Sequence, residues 1–196
     1  MSEGSGIVAA HRTALDVAAA APMLGQVRHW SAVNSGSRNL EGLATQAALL
    51  ADAFAILPGQ LALVEAVPGE NVDSSGSVQA VAYGRHLHLS VRPEAPVQAL
   101  LTGHMDTVFA IDHPFQTLTD LEGGTILNGP GVADMKGGLA VMLAALRGVE
   151  VSPLRDRIGY EVVINSDEEI GSPGSAALIA RAARDKLAAL TYEPSA

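Results

Sequence analysis

The sequence predicts an α/β fold, a mixed, largely parallel sheet flanked by helices. Three observations carry this expectation. Short apolar runs of strand length alternate with stretches in which apolar residues recur every three to four positions. The runs at 97–102 and 160–164 are nearly all apolar, as strands covered on both faces are. Acids and histidines then gather just past such runs, where open α/β sheets present side chains to ligands.

Taken in order, the Ala-rich beginning reads as helical, and Pro22 either breaks it or opens a second piece reaching Trp30. The segment 34–37 is a loop. Leu40, Leu43, Ala44, Ala47, Leu50, Ala51, Phe54 and Leu57 then mark a helix, capped by Asn39 or Ser37 and ended at Pro58-Gly59. Strands are expected at 61–67, 78–83, 86–91 and 97–102, with a hairpin of 117–121 and 125–127 around Gly123-Gly124. Gly137-Gly138 lead into a helix through Leu139, Met142, Leu143 and Leu146. A buried strand follows at 160–164. Ser172-Pro173 open a last helix with Ile179, Ala182, Ala183, Leu187 and Leu190 on one face. Neither an internal repeat nor a low-complexity linker divides the chain.

Composition narrows the function. The 196 residues are 48% hydrophobic, enough for one sizeable core and at most a small second unit. A net charge of −9 argues against nucleic acid as a partner, and the lack of a basic run argues against an anionic membrane surface. No uncharged stretch reaches the length of a membrane span, and the beginning lacks the basic region of an export signal. The expectation is a soluble, cytoplasmic protein. Cysteine is absent, so any metal here is held by His and carboxylates.

Four segments carry the chemistry: Gly103-His104-Met105-Asp106, Gly131-Val132-Ala133-Asp134-Met135-Lys136-Gly137-Gly138, Asp167-Glu168-Glu169, and Thr191-Tyr192-Glu193. His104 and Asp106 are two apart on an extended segment and point the same way. One ring nitrogen can then hold a metal while the other donates to the carboxylate, which fixes the tautomer. Glu168 and Glu169 are adjacent and diverge, so one can bind metal while the other faces the water the metal activates. Asp134 sits in a Gly-rich turn that offers both its oxygens, as a bridge between two metals requires.

Other polar residues invite blander readings. His86 and His88 alternate with Leu87 and Leu89 and read as a solvated strand face. His113 lies near the His104 loop in sequence and is a weak candidate for the pocket wall. His11 and His29 are helix-surface residues. Lys136 is expected to balance local acid. Ser35-Gly36-Ser37 reads as a turn with a cap, not as a nucleophile.

The order and spacing of the four segments resemble the family of dizinc peptidases that includes aminoacylase, succinyl-diaminopimelate desuccinylase and carboxypeptidase G. The steps are 30 residues from His104 to Asp134, 34 from Asp134 to Glu168 and 24 from Glu169 to Glu193, and they look like those of the carboxypeptidase G branch. The wording Gly-Pro-Gly-Val-Ala-Asp-Met-Lys-Gly-Gly does as well. The resemblance runs from about Val33 to the end and implies a zinc-exopeptidase-like catalytic domain.

It further implies two divalent metals, zinc first, with cobalt or manganese as substitutes. His104, Asp134 and Glu193 would hold one metal, and Asp134 and Glu169 the other. Glu168 would be the general base, and Asp106 would orient His104. A cis peptide bond is implied after Asp134. The implied activity is hydrolysis of an amide or peptide bond in a small peptide or N-acyl amino acid, as a carboxypeptidase or, alternatively, a deacylase; the full-length family members can form homodimers. Residues 1–196 would then be the N-terminal portion of the catalytic domain, without the family's lid or its returning segment. On that reading this chain alone is inactive, and the contrasting reading is a non-catalytic binding or assembly fragment.

Overall fold

The computed structural model describes residues 9–194. Two helices come first, α1 (Ala9–Ala19) and α2 (Met23–Ser31), parted at Pro22. In α3 (Leu40–Phe54) the Asn39 side chain caps the start by accepting the Gly42 N–H at 3.1 Å. Leu43, Ala47, Leu50 and Phe54 form its buried stripe. The helix stops at Phe54, yet Leu57 still turns into the core.

The remaining elements are β1 (Gln60–Val64), β2 (Gly69–Val72), β3 (Val78–Val81), β4 (His86–Val91), β5 (Val97–His104), β6 (Thr119–Leu121), β7 (Ile126–Asn128), α4 (Gly138–Val151), β8 (Ile158–Asn165), α5 (Ala176–Ala182) and β9 (Ala188–Thr191). The main sheet has the order β1-β4-β8-β5-β9, with β2/β3 and β6/β7 as separate ribbons. It is mixed, as expected. Strands β1, β4 and β8 pair antiparallel, and β8, β5 and β9 pair parallel. One face carries Leu87, Leu89 and Val91 of β4 with Tyr160, Val162 and Ile164 of β8, packed with Trp30, α3 and the Leu139, Met142, Leu143 and Leu146 stripe of α4. The other face meets α5 through Leu100, Val163, Leu178 and Ala182. Helices thus cover both faces. No helix among the described residues is long and apolar enough to cross a membrane.

The structure departs from the sequence reading in three places. The last helix does not reach Leu190. It ends at Ala182, and the chain turns through Asp185, whose φ of 59° leaves the helical region. Residues 188–191 then pair in parallel with β5, so Leu187 and Leu190, which fit the helical period, are exposed. Sheet pairing outweighs local periodicity here. Strand β2 escaped the pattern because Gly69, Glu70 and Asn71 are not apolar; the Asp73 carboxylate fixes its hairpin by accepting the N–H groups of Ser75 and Ser77 at 2.8 and 3.0 Å. His86 is buried, not solvated, because Ser166 packs on it and donates its N–H to Nδ1 at 3.3 Å. His88, half-buried, pairs with Glu161 at 2.7 Å.

The burial pattern predicts a sharp contrast in chemical denaturation. Phe54→Ala, at a site with 0% exposure, is expected to lose ~3–5 kcal/mol, and Leu187→Ala, at 79% exposure, less than ~0.5 kcal/mol. Similar losses for the two would contradict the placement of the core.

Candidate metal centre

Three parallel strands deliver the site. β5 ends at His104, directly beside Asn165 at the end of β8, and Thr102 of β5 faces Thr191 of β9. The segments leaving these carboxyl ends carry Asp106, Glu168 with Glu169, and Glu193. Asp134 arrives from the other side, on an irregular helical turn at Val132–Gly137 between β7 and α4. Gly131 opens that turn at a φ of 69°, a conformation that favours glycine. The Asp134–Met135 peptide is cis, as the resemblance implied. Buried Met135 draws the turn onto β5, and its sulfur accepts the His104 N–H at 3.0 Å. Gly138 matters for a different reason. A Cβ there would meet the Tyr192 carbonyl oxygen at 2.1 Å, so the segment bearing Glu193 lies directly on the start of α4.

His104 and Asp106 form the floor, 1% and 0% exposed. The His104 Nδ1 lies 3.3 Å from the Asp106 Oδ1 and 3.1 Å from the Asp106 carbonyl oxygen. The Asp106 carboxylate also accepts the Ser37 hydroxyl at 2.7 Å and the N–H groups of Glu168 and Glu169 at 3.1 and 3.2 Å. Nδ1 is thereby committed as a donor, which turns Nε2 toward the acids. Asp167, equally buried, braces the acid loop: it accepts from the N–H groups of Gly174 and Ser175 at 2.6 and 3.2 Å and from the Ser175 hydroxyl at 2.7 Å.

The rim is acidic. Nε2 of His104 stands 2.9 Å from the Asp134 Oδ1, 3.7 Å from the Glu193 Oε2 and 3.9 Å from the Glu168 Oε2. One ligand atom each from His104, Asp134 and Glu169 lies within 4.8 Å of the others. Burial works to lower the His104 pKa, but Asp106, Glu193 and Asp134 outweigh it and hold the imidazole up at about 9. Burial and the neighbouring carboxylates push Glu169 and Glu193 above the usual carboxylate range. These acids crowd around one buried proton, where a divalent cation would serve them better. A set of one imidazole and several carboxylates with no thiolate suits Zn²⁺, Co²⁺ or Mn²⁺, so the residues present fit the implied metal.

The remaining candidates fall outside the centre. Lys136 does not balance an acid. It is buried, forms no ion pair among the described residues, and donates from Nζ to the Val33 carbonyl at 3.2 Å; burial lowers its pKa to about 8. His113 is exposed, packs on Phe109 and is not part of the His104, Asp134 and Glu169 group, and His11 and His29 ride on α1 and α2. Sequence reasoning missed Ser37 and Asp167 as positioning residues. Asp167 had a readable signal, an acid between an apolar strand and the Glu pair; Ser37 had none beyond its loop.

Residues 100–195, which include every candidate ligand, match the family model described as Peptidase family M20/M25/M40. Over 96 residues the chain is 40% identical to Carboxypeptidase G2 of Pseudomonas sp. (strain RS-16), a stretch covering 49% of this chain and 23% of that protein. Human carnosine dipeptidase 1 shares the fold with a TM-score of 0.63 at 20% identity, over 88% of this chain and 37% of that one. An M20 family metallo-carboxypeptidase of Sulfolobus solfataricus gives 0.58 at 19% identity, over 82% of this chain and 34% of that one. The resemblance read from the four motifs therefore holds, for a chain that spans about a quarter of the curated relative's length.

Asp106→Asn keeps the shape but places an amide where three N–H or O–H donors and the imidazole point. Zinc affinity, measured by competition with a chelating dye, is expected to fall about 10–100-fold, with a smaller fall for Ser37→Ala. Wild-type affinity in Asp106→Asn would show that His104 needs no such orientation.

Proposed function

We propose that this chain holds the metal-binding part of a hydrolase of amide or peptide bonds, a carboxypeptidase that releases a C-terminal amino acid. One observation carries the proposal: four carboxylates, from Asp134, Glu168, Glu169 and Glu193, converge on one side of a buried imidazole whose Nδ1 is held by buried Asp106. The match of this same segment to a peptidase family supports it.

In this reading His104, Asp134 and Glu193 hold one ion, and Asp134 and Glu169 contribute to a second. A divalent metal held there supplies Lewis acidity, lowering the pKa of a water and polarising the substrate carbonyl. Glu168 is the general base. Its N–H is committed to Asp106, while its carboxylate stands on the rim, 47% exposed and 3.9 Å from His104 Nε2. From that position it can take a proton from the attacking water and return it to the leaving amine. Asp106 does no proton transfer; it keeps Nδ1 protonated and Nε2 available. The substrate is a small peptide.

The two adjacent glutamates are expected to fail differently, measured in a chain extended to the relatives' length. Glu168→Gln should retain zinc by elemental analysis while kcat falls on the order of 10²–10⁴-fold. Glu169→Ala should lose zinc as well. The reverse pattern would exchange their roles, and full activity in both variants would refute the proposal.

A further inference from the structure

Lys136 carries a buried amine that the chemistry above leaves unused. Its side chain is 1% exposed, yet no acid among the described residues pairs with it, and Nζ donates to a backbone carbonyl, that of Val33. A buried ammonium with so little compensation is costly, and costs of this kind are kept where function needs them.

The turn that bears Lys136 also bears Asp134, two residues earlier. The Asp134 carboxylate is 53% exposed, so the turn sets its place more than any packing around it does. Two ties hold that turn. Met135 seats one side on β5, through its sulfur and the His104 N–H. Lys136 seats the other. Its own N–H donates to the Gly131 carbonyl at 2.8 Å, and its stem runs so close to Gly131 that a Cβ there would meet Cδ and Cε at 3.1 Å. The side chain then crosses to Val33.

Val33 leads directly into the loop at 34–37, which is bonded to the segment leaving β5. Ser35 donates its hydroxyl to the Met105 carbonyl at 2.7 Å, and its carbonyl accepts the Thr107 N–H at 3.0 Å. Ser37 donates its N–H to the Thr107 carbonyl at 3.2 Å and its hydroxyl to Asp106. The Lys136 amine therefore closes a ring that runs from the turn through the loop to residues 104–107. His104 and Asp134, 2.9 Å apart, both lie on that ring.

We propose that Lys136 is a positioning residue, whose side chain fixes the Asp134 turn against the loop at 33–37 and so aligns Asp134 with His104 for a shared metal. The proposal rests on the metal site above and adds what aligns its two halves.

Lys136→Met keeps the apolar stem and removes the donor. The test compares it with the unaltered chain, Ser37→Ala and the double variant, reading zinc affinity by chelator competition and zinc-free stability by urea denaturation. Lys136→Met is expected to weaken zinc about five- to tenfold while its denaturation midpoint stays equal or rises, because a costly buried charge has gone. A residue that only held the fold together would lose both. Ser37 acts on the same ring, so the double variant should bind zinc within about twofold of Lys136→Met alone. Unchanged zinc affinity in Lys136→Met, a lowered midpoint, or losses that multiply in the double variant overturn the role of Lys136 while zinc uptake by the unaltered chain stands. An unaltered chain that takes up no zinc overturns the metal site beneath it as well.

Discussion

Asp106 places a carboxylate where it is fully buried, and four donors converge on it: the His104 imidazole, the Ser37 hydroxyl and the N–H groups of Glu168 and Glu169. A buried charge is costly unless hydrogen bonds compensate it, and here they come from three separate stretches of chain. The loop at 35–37, the end of β5 and the loop after β8 are held to a single point. Without this carboxylate the imidazole would lose its fixed tautomer, two N–H groups would be left unpaired, and the acid loop would lose its register against His104. The contact lies beneath the cluster, where it sets the orientation of His104 and of the loop bearing Glu168 and Glu169.

The fold supports that point from both sides. Parallel pairing of β8, β5 and β9 brings three carboxyl ends to one edge, the usual place for a site in an open α/β sheet. Asp134 then closes over the top, held by the Met135 sulfur against the His104 N–H and by the tight contact of Gly138 with the Tyr192 segment. The result is a buried imidazole with a rim of exposed acids. Their mutual repulsion favours a cation among them, and the carboxylates of Asp106, Glu193 and Asp134 raise the His104 pKa against the effect of burial. Binding of a metal would displace the imidazole proton, so the ion replaces a charge already drawn into the site.

Much of this was legible in the residues, because the relevant signals are local. Periodicity marked α3 and α4, apolar runs marked β4, β5 and β8, and the positions of His104, Asp134, Glu168, Glu169 and Glu193 past strand ends pointed to one edge of a sheet. What stayed hidden depends on neighbours distant in sequence. Leu187 and Leu190 obeyed a helical period that β5 overrode by pairing with residues 188–191. His86 read as solvated because nothing in its own strand announces Ser166, 80 residues away. Lys136 and Ser37 likewise take their roles from partners at Val33 and Asp106.

The central claim is that one oriented imidazole and its ring of carboxylates form a metal site. Zinc content by elemental analysis, after loading and gel filtration, tests it most directly, in the unaltered chain and in His104→Ala, Asp134→Ala and His113→Ala. The account predicts bound zinc in the unaltered chain and in His113→Ala, whose imidazole lies outside the cluster, and loss of that zinc in the other two. Equal zinc in all four proteins, or none in the unaltered chain, would contradict it.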